Sequence, residues 1–370
     1  MFKKFTLFLV FAATALSGFY WYVNFKNLSS AVSVYAVFDQ SKVGEANMIG
    51  AIYQALPKVC DTWSFVTMTP KHIESSLAQD KSGTRVVVTA GQFGIEFIKS
   101  GVFPSHTKIL LCTHQWFDSM NDLHDVYITM PEHAIDEIIQ DTAKVNNLTL
   151  LRTVGVLQTM SAEALANEDI SAIHLTDAKV GLILGGDAET PDGGWKVFSV
   201  ENAQRLANEI AKFQKRTGDK LLITNGPRTG RSATAHKTEE LDVISAAFLQ
   251  ELEREGLVNG TDFEFFNFQF GKPSTLKAVM KIVMNNKGFM IVPGESTSSI
   301  SEILAVMPAS IYAHDAMNEQ HGAFVEKLAR SHSTALWPLV PDSASMETYV
   351  PLPSQAVVVF EELLKYVSNV

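Results

Sequence analysis

Residues 288–304 read Gly-Phe-Met-Ile-Val-Pro-Gly-Glu-Ser-Thr-Ser-Ser-Ile-Ser-Glu-Ile-Leu. An apolar run meets a hydroxyl-rich turn and then an amphipathic pattern, which predicts a strand, a turn and a helix in that order. Ser296, Thr297, Ser298 and Ser299 can cap the helix, and its first-turn N–H groups, with the helix dipole behind them, attract a phosphate or diphosphate. An ordinary N-cap is the plain alternative. Four hydroxyl residues exceed what capping needs, and Glu302 follows within reach of a ribose-like diol if a nucleotide sits there.

Working outward, short apolar runs alternate with longer amphipathic ones from residue 31 onward, the pattern of a parallel sheet covered by helices. Strands are expected at Val32–Phe38, Arg85–Ala90, Lys108–Cys112, Asp125–Ile128 and Leu148–Arg152. A second series is expected at Lys179–Leu184, Lys220–Thr224, Phe263–Asn267, Phe289–Val292 and Ala309–Tyr312. The fold class expected is α/β, two Rossmann-like doubly wound lobes facing a cleft. The first lobe covers 31–175 and the second 178–350, with the polar segment Ser161–Ala178 as boundary; Ser354–Tyr366, within 351–370, reads as a helix that braces the first lobe.

The 370 residues carry a net charge of −10, with thirty basic residues spread among forty acidic ones, which argues against nucleic acid as a partner. Cys60 and Cys112 show no metal spacing and suit buried thiols better than a disulfide framework. Residues 1–27 hold Lys3 and Lys4 ahead of an uncharged apolar run from Phe5 to Val23, a signal anchor or a signal peptide. The positive charges ahead of that run place the main domain outside the cytoplasm, tethered to the membrane or, after cleavage, secreted.

In doubly wound sheets ligands gather at the carboxyl ends of the strands, so the turns there hold the candidates. Gly185 and Gly186 open a glycine-rich loop that lets backbone approach a ligand, although GxGxxG and a P-loop are both absent. Asn225 and Arg228 follow the next strand, and Arg228 and Arg231 can pair with phosphate oxygens. A flexible loop and a solvated turn are the plain alternatives for these two segments. In the first lobe Asp39 and Glu45 lie just after the first strand, and Glu132-His133 offers a titratable pair able to take a proton from an acceptor hydroxyl. No metal site is expected.

Several ordered motifs carry a family resemblance. They are Gly44-Glu45-Ala46-Asn47-Met48-Ile49-Gly50, Pro131-Glu132-His133, Thr153-Val154-Gly155-Val156-Leu157, Gly185-Gly186, Leu221–Arg228 and Glu295-Ser296-Thr297-Ser298-Ser299-Ile300-Ser301-Glu302. Across residues 32–340 the chain resembles the ELM (elongated mitochondria) mitochondrial-fission family and its bacterial relatives, which look like GT-B glycosyltransferases. The second lobe is also similar to the MurG type of N-acetylglucosaminyltransferase. That likeness implies Glu302 as a ribose ligand, Ser296 and Ser298 as phosphate contacts, and His314-Asp315 with Asn318-Glu319-Gln320 at the donor sugar. Departures fall at Glu45 and Met48, where the family carries His and Gln, and at Glu295, where it carries Asp. The function so implied is a metal-independent glycosyltransferase with a nucleotide-diphosphate sugar as donor and no tightly bound cofactor. The alternative is a membrane-tethered, non-catalytic interaction or scaffold protein whose protein partner is unknown.

Overall fold

The computed structural model describes residues 32–40, 43–59, 64–80, 84–101, 103–189, 194–230, 241–269, 274–331, 334–340, 349 and 351–367. The membrane segment expected at 1–27, and Arg231, lie outside these. No helix among the described residues is long and apolar enough to cross a membrane. The chain divides into two compact units, Met1–Thr153 with Gln355–Val370, and Val154–Ser354.

In the first unit β1 (Val32–Ala36), β2 (Ser64–Thr67), β3 (Thr84–Ala90), β4 (Thr107–Cys112), β5 (Tyr127–Pro131) and β6 (Thr149–Thr153) form one sheet in the order β2-β1-β3-β4-β5-β6. Every pairing is parallel, with Val34 lying between Phe65 and Val86. The continuous run Val86-Val87-Val88 is wholly buried, as a strand covered on both faces requires. The C-terminal helix Gln355–Val367 belongs to this unit and packs against helix Val43–Val59 and β6. Its buried residues Ala356, Val359, Phe360, Leu363 and Leu364 recur at helical spacing, so one stripe faces the core.

The second unit contains β7 (Val180–Ile183), β10 (Leu221–Thr224), β11 (Phe263–Phe266), β12 (Phe289–Pro293), β13 (Ala309–Tyr312) and β14 (Thr334–Leu336), with a hairpin of β8 (Ala188–Glu189) and β9 (Trp195–Lys196) beside them. Its sheet runs β11-β10-β7-β12-β13-β14, again all parallel. Counted within the unit this is the doubly wound order 3-2-1-4-5-6, with the reversal between β7 and β12. Side chains alternate between two cores: Met290 and Val292 join Val279, Ile300 and Phe324 on one face, while Ile291 joins Leu182, Leu206, Phe248 and Tyr312 on the other. Helix Val200–Thr217 starts where the Ser199 hydroxyl accepts the Asn202 N–H at 3.2 Å and ends at Gly218, whose φ of 71° lies in the left-handed region that glycine tolerates.

Two sequence expectations change. The boundary falls at Thr153–Val154, because Met160, Leu165, Ile173, Leu175 and Ala178 from the polar-looking segment pack into the second unit's core. The edge strands β2 and β14 were not expected; each is short and partly exposed, so no buried apolar run marks it.

Candidate functional site

The reversal between β7 and β12 opens a crevice at the carboxyl ends of these strands. Three turns of the second unit meet there. The Gly186 N–H donates to Glu295 Oε1 at 2.8 Å, joining the turn after β7 to the turn after β12. The Asp187 N–H donates to the Arg228 carbonyl at 3.1 Å, and the Thr229 hydroxyl to the Leu184 carbonyl at 3.3 Å, joining the turn after β10. A side chain at Gly186 has no room, since a Cβ there lies 2.8 Å from the Arg228 carbonyl carbon. Gly185 is held as closely, with Phe198 ring atoms at 2.9 Å from its Cβ position.

Behind these turns lies a buried carboxylate–imidazole pair. Glu295 and His314, 3% and 7% exposed, are hydrogen-bonded through Oε2 and Nε2. The Ala316 N–H donates to His314 Nδ1 at 3.2 Å, so that nitrogen bears no proton and Nε2 is the donor to Glu295. The pair therefore carries one negative charge. Burial alone raises the Glu295 carboxyl, but the hydrogen bond from His314, the Gly186 N–H and the Arg228 charge together outweigh it and hold the carboxyl below its ordinary value. The His314 ring packs edge-on against Phe198 at 4.8 Å and, with Tyr312, Asn202 and Trp337, lines a cavity of about 320 Å³.

Helix Thr297–Leu304 begins at this crevice without a conventional cap. The Ser296 hydroxyl donates to Ser299 Oγ at 2.8 Å and accepts no first-turn N–H. The backbone N–H groups of Thr297, Ser298 and Ser299 have no acceptor among the described residues, and Ser298 is exposed. Arg228 is half-buried and makes no ion pair or side-chain hydrogen bond among the described residues, yet its charge acts on both Glu295 and His321.

Other residues singled out in the sequence serve different ends. Asn225 is buried, its amide nitrogen lying within hydrogen-bond reach of Asp242 at 3.1 Å, Ser245 at 2.9 Å and Asn267 at 2.9 Å for its two N–H groups, and its oxygen accepting the Phe268 N–H at 2.6 Å. It ties the ends of β10 and β11 to helix Val243–Arg254, and both amide donors are engaged there. Glu302 is half-buried, and burial raises its carboxyl while the Lys277 charge opposes. Asn318 caps helix Glu319–Ser331, its Oδ1 accepting the His321 N–H at 2.9 Å. Gln320 is exposed and makes no polar contact among the described residues.

In the first unit Asp39 follows β1, Glu45 sits in the first turn of helix Val43–Val59, and His133 lies in the short turn Glu132–Ala134 after β5. The Glu45 carboxylate packs on Gly91, where an added Cβ would lie 2.2 Å from Oε1. β1 and β5 are three places apart in the sheet, about 14 Å at the usual strand spacing. Among the described residues no group of three or more His, Cys, Asp or Glu is placed to hold a metal ion.

Sequence reasoning passed over Asp187, whose buried carboxylate accepts the Phe198 N–H at 2.9 Å, and also Lys196 and His321. The spacing Asn318-x-x-His321 was a usable signal, since it places a capping residue three positions ahead of a ring nitrogen able to return the bond.

No protein-family model matches the chain, and no curated protein does. Solved structures similar to it include a glycosylation-associated protein (Gap123) complex from Streptococcus agalactiae, at 11% identity and TM-score 0.42, covering 81% of this chain and 55% of that one. An α,α-trehalose 6-phosphate synthase from Burkholderia multivorans is similar at 11% identity and TM-score 0.43 over 92% of this chain and 96% of that one. A UDP-GlcNAc 2-epimerase from Neisseria meningitidis, bound to UDP-GlcNAc, is similar at 9% identity and TM-score 0.41 over 90% and 100%. These likenesses are distant.

Proposed function

We propose that the second unit binds a nucleoside diphosphate joined to a sugar, and that the chain is a GT-B-like glycosyltransferase of the kind its motif order suggests, with ELM-like proteins as relatives. The observation that carries this is the uncapped start of helix Thr297–Leu304, at the strand-order reversal and beside Arg228, with three backbone donors and the guanidinium unpaired among the described residues. Those donors and Arg228 hold the diphosphate and stabilise the charge that develops on it as the sugar leaves. Gly186 keeps the backbone close, and the cavity beside His314 receives the base or the sugar. In the first unit Asp39, Glu45 and His133 are the candidate bases for an acceptor hydroxyl.

Ser298→Glu separates binding from folding. A carboxylate in the first turn favours the helix dipole, so thermal unfolding should show stability unchanged or raised by about 0.5 kcal/mol. The same carboxylate repels an anion, and calorimetry should show diphosphate affinity lowered at least about tenfold, or about 1.4 kcal/mol. Unchanged affinity would remove the helix start from the site.

A further inference from the structure

The turn Gly226-Pro227-Arg228-Thr229 presents Arg228, and one buried side chain closes it. The Thr229 N–H donates to the Gly226 carbonyl at 3.2 Å, the bond of a β-turn, and Pro227 in the second position restricts the backbone there. The Thr229 hydroxyl is engaged in both directions. It accepts the Gly226 N–H at 3.0 Å and donates to the Leu184 carbonyl at 3.3 Å, so its one proton has its acceptor. Thr229 is wholly buried, and valine has nearly its shape, so packing alone does not call for threonine. What the hydroxyl adds is the tie between the turn after β10 and the end of β7.

These bonds bracket Arg228. On one side Thr229 is anchored to Leu184; on the other the Asp187 N–H donates to the Arg228 carbonyl at 3.1 Å. Between the two anchors runs Gly186, where a Cβ would lie 2.8 Å from the Arg228 carbonyl carbon, 2.9 Å from Arg228 Cβ and 3.0 Å from the Thr229 nitrogen. Beyond the turn Gly230, with φ at 65°, lies against buried Asp242, whose Oδ1 would be 2.7 Å from a Cβ there. The stem of Arg228 is fixed by these contacts, and only the bonds beyond Cβ are left to turn. A long cationic side chain loses rotamer freedom when it grips an anion, so a fixed stem reduces what the ligand has to order.

Resting on the diphosphate-binding reading, we propose that Thr229 is a positioning residue of the anion site, whose hydroxyl holds the Arg228 guanidinium on the phosphate by joining the Gly226–Thr229 turn to the end of β7. Without that hydroxyl the Gly226 N–H and the Leu184 carbonyl lose their shared partner in a buried place. The turn then shifts from β7, and Arg228 moves with it. Thr229 touches no ligand itself, so its effect on binding passes through Arg228.

The test is calorimetric titration of the full chain with inorganic pyrophosphate, using Thr229→Val, Thr229→Ser, Arg228→Ala and the Thr229→Val/Arg228→Ala double variant. Thr229→Val should weaken binding about tenfold, the loss of one well-placed charge-assisted contact, and Thr229→Ser should stay within about twofold of wild type. In the Arg228→Ala background the same Thr229→Val change should cost less than about twofold, since there is no guanidinium left to place. Thr229→Val binding as tightly as wild type, or weakening both backgrounds by the same factor, overturns this inference alone. A folded wild type that binds no pyrophosphate overturns it together with the diphosphate reading. If Arg228→Ala binds too weakly to titrate, the other pair decides, and equal affinities in Thr229→Ser and Thr229→Val overturn the inference. If Thr229→Val does not fold, Thr229→Ala takes its place under the same criteria.

Discussion

Replacing His314 with leucine should lower stability by about 3–5 kcal/mol at neutral pH, the usual cost of leaving a buried charge without its partner. Leucine retains packing against Phe198, so the loss falls on Glu295, which among the described residues keeps the Gly186 N–H as its direct partner. The pH dependence carries the diagnosis. In the wild type the Glu295 carboxyl sits below its ordinary value, so its contribution is present above about 4.3 and is lost as pH falls through the lower folded value. Without His314 the burial effect dominates and the folded carboxyl rises above the unfolded one. The variant's deficit should therefore be full at neutral pH and shrink as pH falls towards 4. Chemical denaturation at pH 7 and pH 4 measures both ends, and a deficit independent of pH would show that packing rather than charge was removed.

Asn225→Ala should cost about 3 kcal/mol, because it removes at once the amide that donates to Asp242 and Asn267 and the oxygen that accepts the Phe268 N–H. A polar residue at a strand's carboxyl end looks like a ligand in the sequence, and this variant separates the two roles. Thermal unfolding should report a large fall in midpoint. Stability within 1 kcal/mol of wild type, coupled to lost diphosphate binding, would instead return Asn225 to the site.

The fold was largely legible because its central strands are unbroken apolar runs, such as Val86-Val87-Val88 and Met290-Ile291-Val292, which a buried parallel sheet demands. The edge strand β2 escaped because three of its four residues are exposed and solvent exerts no pattern on them. The turns carrying Gly185, Gly186, Arg228 and Ser296 could be found because strand ends locate them without any knowledge of partners. Glu295 and His314 could not be paired from sequence. They stand on different strands, 19 positions apart, and only the register of β12 with β13 brings them together. Asn318 illustrates the converse: its spacing suited a ligand, while helix capping uses it locally.

The most direct measurement is a calorimetric titration of the full chain with UDP, GDP, CMP and UDP-N-acetylglucosamine, alongside Arg228→Ala. The geometry predicts saturable binding of at least one diphosphate, weakened roughly ten- to hundredfold in the variant, as loss of one charge-assisted contact implies. A folded wild type that binds none of the four, or an Arg228→Ala variant that binds as tightly as wild type, would contradict the assignment of this crevice as a nucleoside-diphosphate site.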